Sequence, residues 1–174
     1  LAGVIPLACA RFPHVDFLIA GDGPMRRHLE EMTVQHGLTH GRVTLLGNVP
    51  HSNVKDVLQR AQIFLNCSLT ESFCIAILEA ACCGCLVVAT RVGGVPEVLP
   101  PDLLFLADAH PQALVNALEE AIDALHGNNN INDDDGSGGD GVGDGDGKDD
   151  DKDPETTTTG VCSGVDPMTI HRRV

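Results

Sequence analysis

Glu71 and Glu79 stand eight residues apart in the stretch 68–98, SLTESFCIAILEAACCGCLVVATRVGGVPEV, where a predicted strand gives way to a turn and then to a helix. The helix is read over 72–83 from its run of Ala, Leu and Ile. On that reading Glu71 sits at its mouth and Glu79 two turns further in. The amides of Ser72, Phe73 and Cys74 then fall in the first turn, where unpaired N–H groups and the positive end of the helix dipole favour an anion such as a diphosphate. Gly84 ends the helix, and the β-branched run 86–89 reads as the next strand, before the turn Gly93-Gly94 and Pro96. A strand, turn, helix and strand in this order leave their loops at strand ends, and open α/β sheets bind ligands at the carboxyl ends of their strands.

The rest of the chain is expected to hold that unit by alternating helices and strands, as an α/β fold does. Residues 1–10 read as the tail of a helix, 16–20 as a strand, 25–36 as a helix, 42–46 as a strand, 52–61 as a helix and 63–66 as a buried strand. A last short strand over 103–105 and a helix over 111–125 follow, with Leu114, Leu118, Ile122 and Leu125 at helical spacing. With no Trp or Tyr and only five Phe, the core is aliphatic, which suits a parallel sheet covered by helices. Gly21-Asp22-Gly23-Pro24 forms a tight turn between a strand and a helix. It lacks the third glycine of a dinucleotide fingerprint, so both a structural and a binding role stay open.

On these residues the chain resembles the retaining glycosyltransferases of the two-domain GT-B type, in the group marked by Glu-x7-Glu. The motif here is Glu71 to Glu79. The similarity extends through Ile19-Ala20-Gly21-Asp22-Gly23-Pro24, Val43-Thr44-Leu45-Leu46-Gly47, Phe64-Leu65-Asn66-Cys67-Ser68 and Arg91-Val92-Gly93-Gly94-Val95-Pro96-Glu97. It covers residues 1 to about 125 and, more weakly, 168–174. The resemblance implies a Rossmann-like parallel sheet with flanking helices, the C-terminal half of a GT-B enzyme. It implies that Glu71 contacts hydroxyls of the donor sugar and that Glu79 accepts hydrogen bonds from the ribose. A carboxylate fits both tasks, because a vicinal diol offers two donors to its several lone pairs. The amides of Ser72, Phe73, Cys74 and Ile75 would cradle the diphosphate. Val49 and His51 would meet the base, with Gly21 and Gly23 in the donor-binding set, and Gly93-Gly94 would either let a loop pass close to the donor or form a plain turn.

The wording Leu65-Asn66-Cys67-Ser68-Leu69-Thr70-Glu71-Ser72-Phe73-Cys74 with Thr90-Arg91-Val92-Gly93-Gly94 is most similar to the branch that begins glycosylphosphatidylinositol (GPI) anchor synthesis. That branch implies transfer of N-acetylglucosamine from UDP-N-acetylglucosamine to phosphatidylinositol with retention, without a metal or other cofactor. It also implies other subunits of a membrane complex, and a place at the endoplasmic reticulum membrane with the catalytic domain facing the cytosol. The upstream Arg and Lys that such enzymes set against the diphosphate, and the acceptor-holding domain, lie outside this sequence, so the chain by itself is not expected to catalyse. Two alternatives stay open: another transferase of the motif family with a different donor or acceptor, and a non-catalytic nucleotide-sugar-binding or regulatory module. A glycosidase scheme is disfavoured, because its two carboxylates straddle one scissile bond.

Composition bounds the remainder. The 174 residues begin without Met and read as a fragment carrying one partial domain over 1–126. Of the net charge of −14, most sits in 127–160, where eleven acids face two lysines. That Asp/Gly/Asn-rich segment is expected to be a disordered insert, since it has too little apolar surface to offset its ordering entropy. Residues 161–174 read as a return to domain sequence. Asp-Gly repeats over 140–146 do not follow the ligand order of an EF-hand, and no nucleic acid is expected as a partner. Cys82-Cys83-Gly84-Cys85 contains a C-x-x-C, but it has no second pair for zinc and sits at a helix end, so small-residue packing is the expected role. The odd cysteine count and the placement of five cysteines in or beside predicted buried elements favour a reduced, cytosol-facing domain. The apolar run 74–90 is broken by Glu79 and Gly84 and reads as core rather than a membrane span.

Overall fold

The computed structural model describes residues 1–39, 41–129 and 157–162. Six parallel strands form one sheet: β1 (Val15–Ala20), β2 (Val43–Gly47), β3 (Ile63–Asn66), β4 (Leu86–Thr90), β5 (Leu104–Ala107) and β6 (Thr157–Cys162), in the order β2-β1-β6-β3-β4-β5. Five helices cover it: α1 (Val4–Arg11), α2 (Arg26–Gln35), α3 (His51–Leu58), α4 (Ile75–Cys82) and α5 (Pro111–Asn129). The expected parallel α/β sheet is thus what the chain forms.

Alternation along the strands explains why both faces are covered. Ile63 and Leu65 join the core beneath α1, α2 and α5, with Phe17, Ile19 and Val88. Phe64, Val87 and Ala89 point the other way, to Leu58 of α3 and to Ile77 and Ala80 of α4. A strand buried on both faces must be apolar throughout, and Ile63, Phe64 and Leu65 are all fully buried. The helical face read in α5 packs as foreseen, with Leu114, Leu118 and Ile122 in the first core and Leu125 against its edge.

Three elements differ from the sequence reading. α4 starts at Ile75 rather than at residue 72, because Cys74 takes a left-handed backbone, φ +44°, that no helix continues through. α5 continues to Asn129, four residues beyond the expected end. Residues 157–160, read as part of the disordered insert, belong to strand β6. The remainder of that insert, 130–156, with its Asp-Gly repeats, and residues 163–174 lie outside the described residues. Among the described residues no helix is long and apolar enough to cross a membrane.

Candidate functional site

All six strands run the same way, so the loops after β1, β2, β3 and β4 gather at one edge of the sheet, and the candidate donor-site residues lie in these loops or in the first turns of the helices they open, with Glu79 further along α4. Gly21 and Gly23 follow β1, Val49 and His51 follow β2, residues 71–75 follow β3, and Gly93-Gly94 follows β4. β6 lies between β1 and β3, so the loop after β1 stands two strand spacings, ~10 Å, from the Glu71 loop and the loop after β2 three, ~14 Å. α3 packs against α4, which puts His51, the first residue of α3, on the same face of the sheet as Glu79.

The Glu71 loop is held from beneath by buried polar groups. Asn66, at the end of β3, is 3% exposed. Its Oδ1 accepts the Ser68 amide at 2.9 Å and its Nδ2 donates to Cys74 Sγ at 3.1 Å. Thr90, at the end of β4, donates its hydroxyl to the Ser68 carbonyl at 2.5 Å. Both ends of the loop are thus tied to neighbouring strands through groups that cannot fall back on water. Sequence reasoning alone does not single out Asn66 or Thr90. The available signal is a polar residue closing an otherwise apolar strand in each case.

Gly93 and Gly94 brace the same loop from the side. Gly94 N–H donates to the Glu71 carbonyl at 3.3 Å. A Cβ on Gly93 would stand 1.7 Å from the Glu71 carbonyl oxygen, and one on Gly94 would stand 2.2 Å from that of Ser72. Gly93 also has φ +51°. The turn thus packs on the backbone of Glu71 and Ser72, leaving no room for a side chain at either glycine.

At the mouth of α4 the cradle differs from the one expected. Ser72 N–H is already taken by Glu71 Oε1 at 3.0 Å, so it is not one of the free amides. Among the described residues the amides of Phe73, Cys74 and Ile75 have no protein acceptor. Cys74 is the one non-glycine residue there with positive φ, a conformation that costs roughly 1–2 kcal/mol in an L-residue. Its half-buried thiol meets Asn66, and burial first, then the charge of Glu71, pushes its pKa up to about 11. A neutral thiol is thereby held against the Glu71 carboxylate. Glu79 is half-buried on α4, and its carboxylate forms no hydrogen bond or ion pair among the described residues. A carboxylate so placed is a ready acceptor for ligand hydroxyls.

On the other side of β6 the fixings are exposed. Gly21 N–H bonds the Gly47 carbonyl at 2.8 Å, and Gly23 N–H bonds Asp22 Oδ1 at 2.9 Å. Arg26 reaches Glu30 at 2.8 Å and Asp22 at 3.8 Å. Val49 is half-buried and His51 exposed. The C-x-x-C plays the packing part expected of it: Cys85 is buried, donates to the Leu58 and Ala61 carbonyls, and is raised to about 11 by burial and then by Cys83, while Cys82 is exposed. No three His, Cys, Asp or Glu side chains converge as a metal site among the described residues.

A doubly wound parallel sheet with the Glu71 loop and open amides at its carboxyl edge is the architecture of an α/β domain that takes its ligand at that edge. The chain belongs to the glycosyl transferases group 1, whose family model matches residues 1–124. It is similar to a phosphatidylinositol N-acetylglucosaminyltransferase subunit of Arabidopsis thaliana, 57% identical over 125 residues, 72% of this chain and 28% of that protein. The human protein of the same name is 51% identical over 122 residues, 70% of this chain and 25% of the human one. The chain therefore spans about a quarter of these relatives. Among solved structures it is similar to HepE of Anabaena in complex with UDP and glucose, at TM-score 0.62 and 25% identity over 71% of this chain and 35% of that one. Sucrose-phosphate synthase of Thermosynechococcus elongatus follows at TM-score 0.60 and 26% identity, over 70% and 33%. The GT-B resemblance read from the motifs is borne out by both comparisons.

Proposed function

We propose that this chain is the donor-binding part of a retaining glycosyltransferase that moves N-acetylglucosamine from UDP-N-acetylglucosamine to phosphatidylinositol, the first step of GPI anchor synthesis. The observation that carries the reading is Glu79: a half-buried carboxylate without a protein partner, on the helix whose first amides are open. Glu79 accepts the ribose hydroxyls, the amides of Phe73, Cys74 and Ile75 receive the diphosphate, and Glu71 orients the sugar. As the bond from the anomeric carbon to the diphosphate breaks, its electron pair and the growing charge stay on the β-phosphate oxygen that joined the sugar. Fixed N–H donors stabilise that charge more than they stabilise the bound donor, which is how they accelerate transfer.

The names of the relatives support N-acetylglucosamine and phosphatidylinositol, and HepE, solved with UDP and glucose, supports a uridine donor. In this reading the acceptor is held by parts of the protein beyond this quarter. The whole works with other subunits at the endoplasmic reticulum membrane, its catalytic domain facing the cytosol.

Calorimetric titration with UDP-N-acetylglucosamine, UDP-glucose and GDP-mannose, on the chain and on Glu79→Gln, tests the proposal. The first donor should bind best, and Glu79→Gln should weaken it by about 1.5–3 kcal/mol, the worth of a hydrogen bond to a charged group. Equal affinity of the variant would remove Glu79 from the site. Preference for UDP-glucose would keep the site and change the donor.

A further inference from the structure

At residue 74 the chain has a choice of two backbones. The residue pattern predicts a helix from 72, whereas α4 begins at Ile75, with Cys74 at φ +44° and ψ 77°. Only glycine takes such a backbone without cost, and nothing local recommends it to a cysteine. The cause is long-range. Asn66, 3% exposed at the end of β3, donates from Nδ2 to Cys74 Sγ at 3.1 Å and accepts the Ser68 amide on Oδ1 at 2.9 Å. One carboxamide thus grips both ends of the segment that carries Glu71. Burial, then the charge of Glu71, keep the thiol protonated, so Asn66 meets a neutral sulfur, a weak acceptor. Breaking the contact would leave a buried N–H group unpaired, so it holds by what its loss would cost rather than by its own strength.

The left-handed turn determines which amides the site can offer. With residue 74 as it stands, its carbonyl accepts the Ile77 amide at 3.0 Å, and the amides of Phe73, Cys74 and Ile75 stay without a protein acceptor among the described residues. With residue 74 right-handed, the helix would run back to 72. The Ile75 amide would then turn to the carbonyl of Glu71, four residues earlier, where Gly94 N–H now bonds at 3.3 Å. One backbone angle therefore decides whether the Ile75 amide is open to an anion and whether Gly94 keeps its hold on the Glu71 backbone.

We propose, taking the donor from the reading above, that Asn66 and the Cys74 side chain are positioning residues of the donor site: their hydrogen bond holds residue 74 in the left-handed turn that keeps the diphosphate amides open. Both act through the backbone rather than by contact with the donor, and the strain they hold sits where the site uses it. A thiol that merely filled space would make the opposite forecast for one pair of substitutions. Alanine, which keeps the Cβ, would then replace Cys74 better than glycine. A thiol that locks the turn is better replaced by glycine, which takes positive φ unaided.

Cys74→Ala, Cys74→Gly and the unsubstituted chain are compared by amide exchange at Ile75 and by calorimetric titration with UDP-N-acetylglucosamine. In Cys74→Ala the Ile75 amide should become protected, while in Cys74→Gly it should stay open. Cys74→Ala should also bind the donor ~5-fold or more weakly than Cys74→Gly, the share of the left-handed penalty that alanine carries and glycine does not. Equal exchange at Ile75 in the two variants, or a donor affinity in Cys74→Ala that matches or exceeds that of Cys74→Gly, would overturn the proposal. If the unsubstituted chain takes no donor, it is the donor reading that fails, and exchange at Ile75 alone decides the lock. If Cys74→Ala does not fold, Asn66→Ala decides. It should lower the Tm of the unsubstituted chain more than that of the Cys74→Gly chain, where the lock is already dispensable; equal losses would sink the idea.

Discussion

The loop after β3 and the loops after β1 and β2 both stand at the carboxyl edge, but they are fixed by different physics. Asn66 and Thr90 hold the Glu71 loop through bonds to Ser68 that are shut away from water, and Gly93-Gly94 lies against its backbone. The Gly21–Gly23 turn is tied by two backbone hydrogen bonds, Gly21 to the Gly47 carbonyl and Arg26 to the Gly23 carbonyl, and by the solvent-accessible side chains of Arg26, Asp22 and Glu30. Buried partners leave an unpaired group when removed, whereas exposed ones hand theirs to water. The site should therefore be stiff on one side and tolerant on the other. The largest expected effect is that of Gly93→Ala, which combines a left-handed backbone with a methyl 1.7 Å from the Glu71 carbonyl oxygen. Strain and overpacking together should cost ~2–5 kcal/mol, read by urea unfolding, and donor binding should be lost with the displaced Glu71. A Gly93→Ala chain of ordinary stability would break the comparison at its strongest point.

Next in size is Asn66→Ala, which leaves the Ser68 amide buried without an acceptor. The expected loss is about 1–3 kcal/mol. Thr90→Val strands the Ser68 carbonyl and should cost less, because a carbonyl tolerates an unmade bond better than an amide. Both changes act on one residue, so the double variant should depart from the sum of the two by about 0.5 kcal/mol or more. Strict additivity in a double-mutant cycle would mean that the two ties brace the loop independently.

Much of this was legible in the sequence, for reasons that also mark where legibility stopped. Strands such as β3 announce themselves because burial on both faces demands an apolar run, here Ile63, Phe64 and Leu65. The Glu71 and Glu79 spacing announces itself because carboxylates are costly beside a core. The first turn of α4 did not, because the residue that delays it, Cys74, takes positive φ without being glycine, held where its thiol meets Asn66. Position 74 looks like an ordinary helix residue until its long-range partner is known. The packing of Gly93 on Glu71 spans a whole helix and strand, and no local pattern reports it. β6 is the extreme case: Thr157–Cys162 has neither the apolar content nor the setting of a central strand, and only the ladders on its two sides define it.

A smaller effect belongs to alkaline pH. The Cys74 thiol is raised from 9.0 to about 11 by burial and then by Glu71, so the folded chain keeps its proton where the unfolded chain gives it up. That contribution to stability is fully present below pH 9 and is lost as pH rises through 11, a window set by the two values. Cys74→Ala should flatten the fall of Tm across it. At neutral pH iodoacetamide should modify exposed Cys82 well before Cys74, as peptide mapping by mass spectrometry would report. Equal rates would mean that the loop opens often enough to expose the thiol, contrary to the stiffness argued for it.

The smallest effect is expected at Arg26, and it is the sharpest test of the tolerant side. Its guanidinium joins Glu30 at 2.8 Å and Asp22 at 3.8 Å, with the side chains 38–53% exposed. Water replaces such partners readily, so Arg26→Ala should cost no more than ~0.5 kcal/mol and shift Tm by about 1–2 °C. Salt should change the unsubstituted chain in the same direction as the substitution, because both screen or remove the same exposed charges. A loss at Arg26 as large as that at Asn66 would mean that the Gly21 turn also depends on an interaction water cannot replace. The two sides of the carboxyl edge would then be one rigid unit, and the division between buried and exposed fixings would not predict which substitutions the donor site withstands.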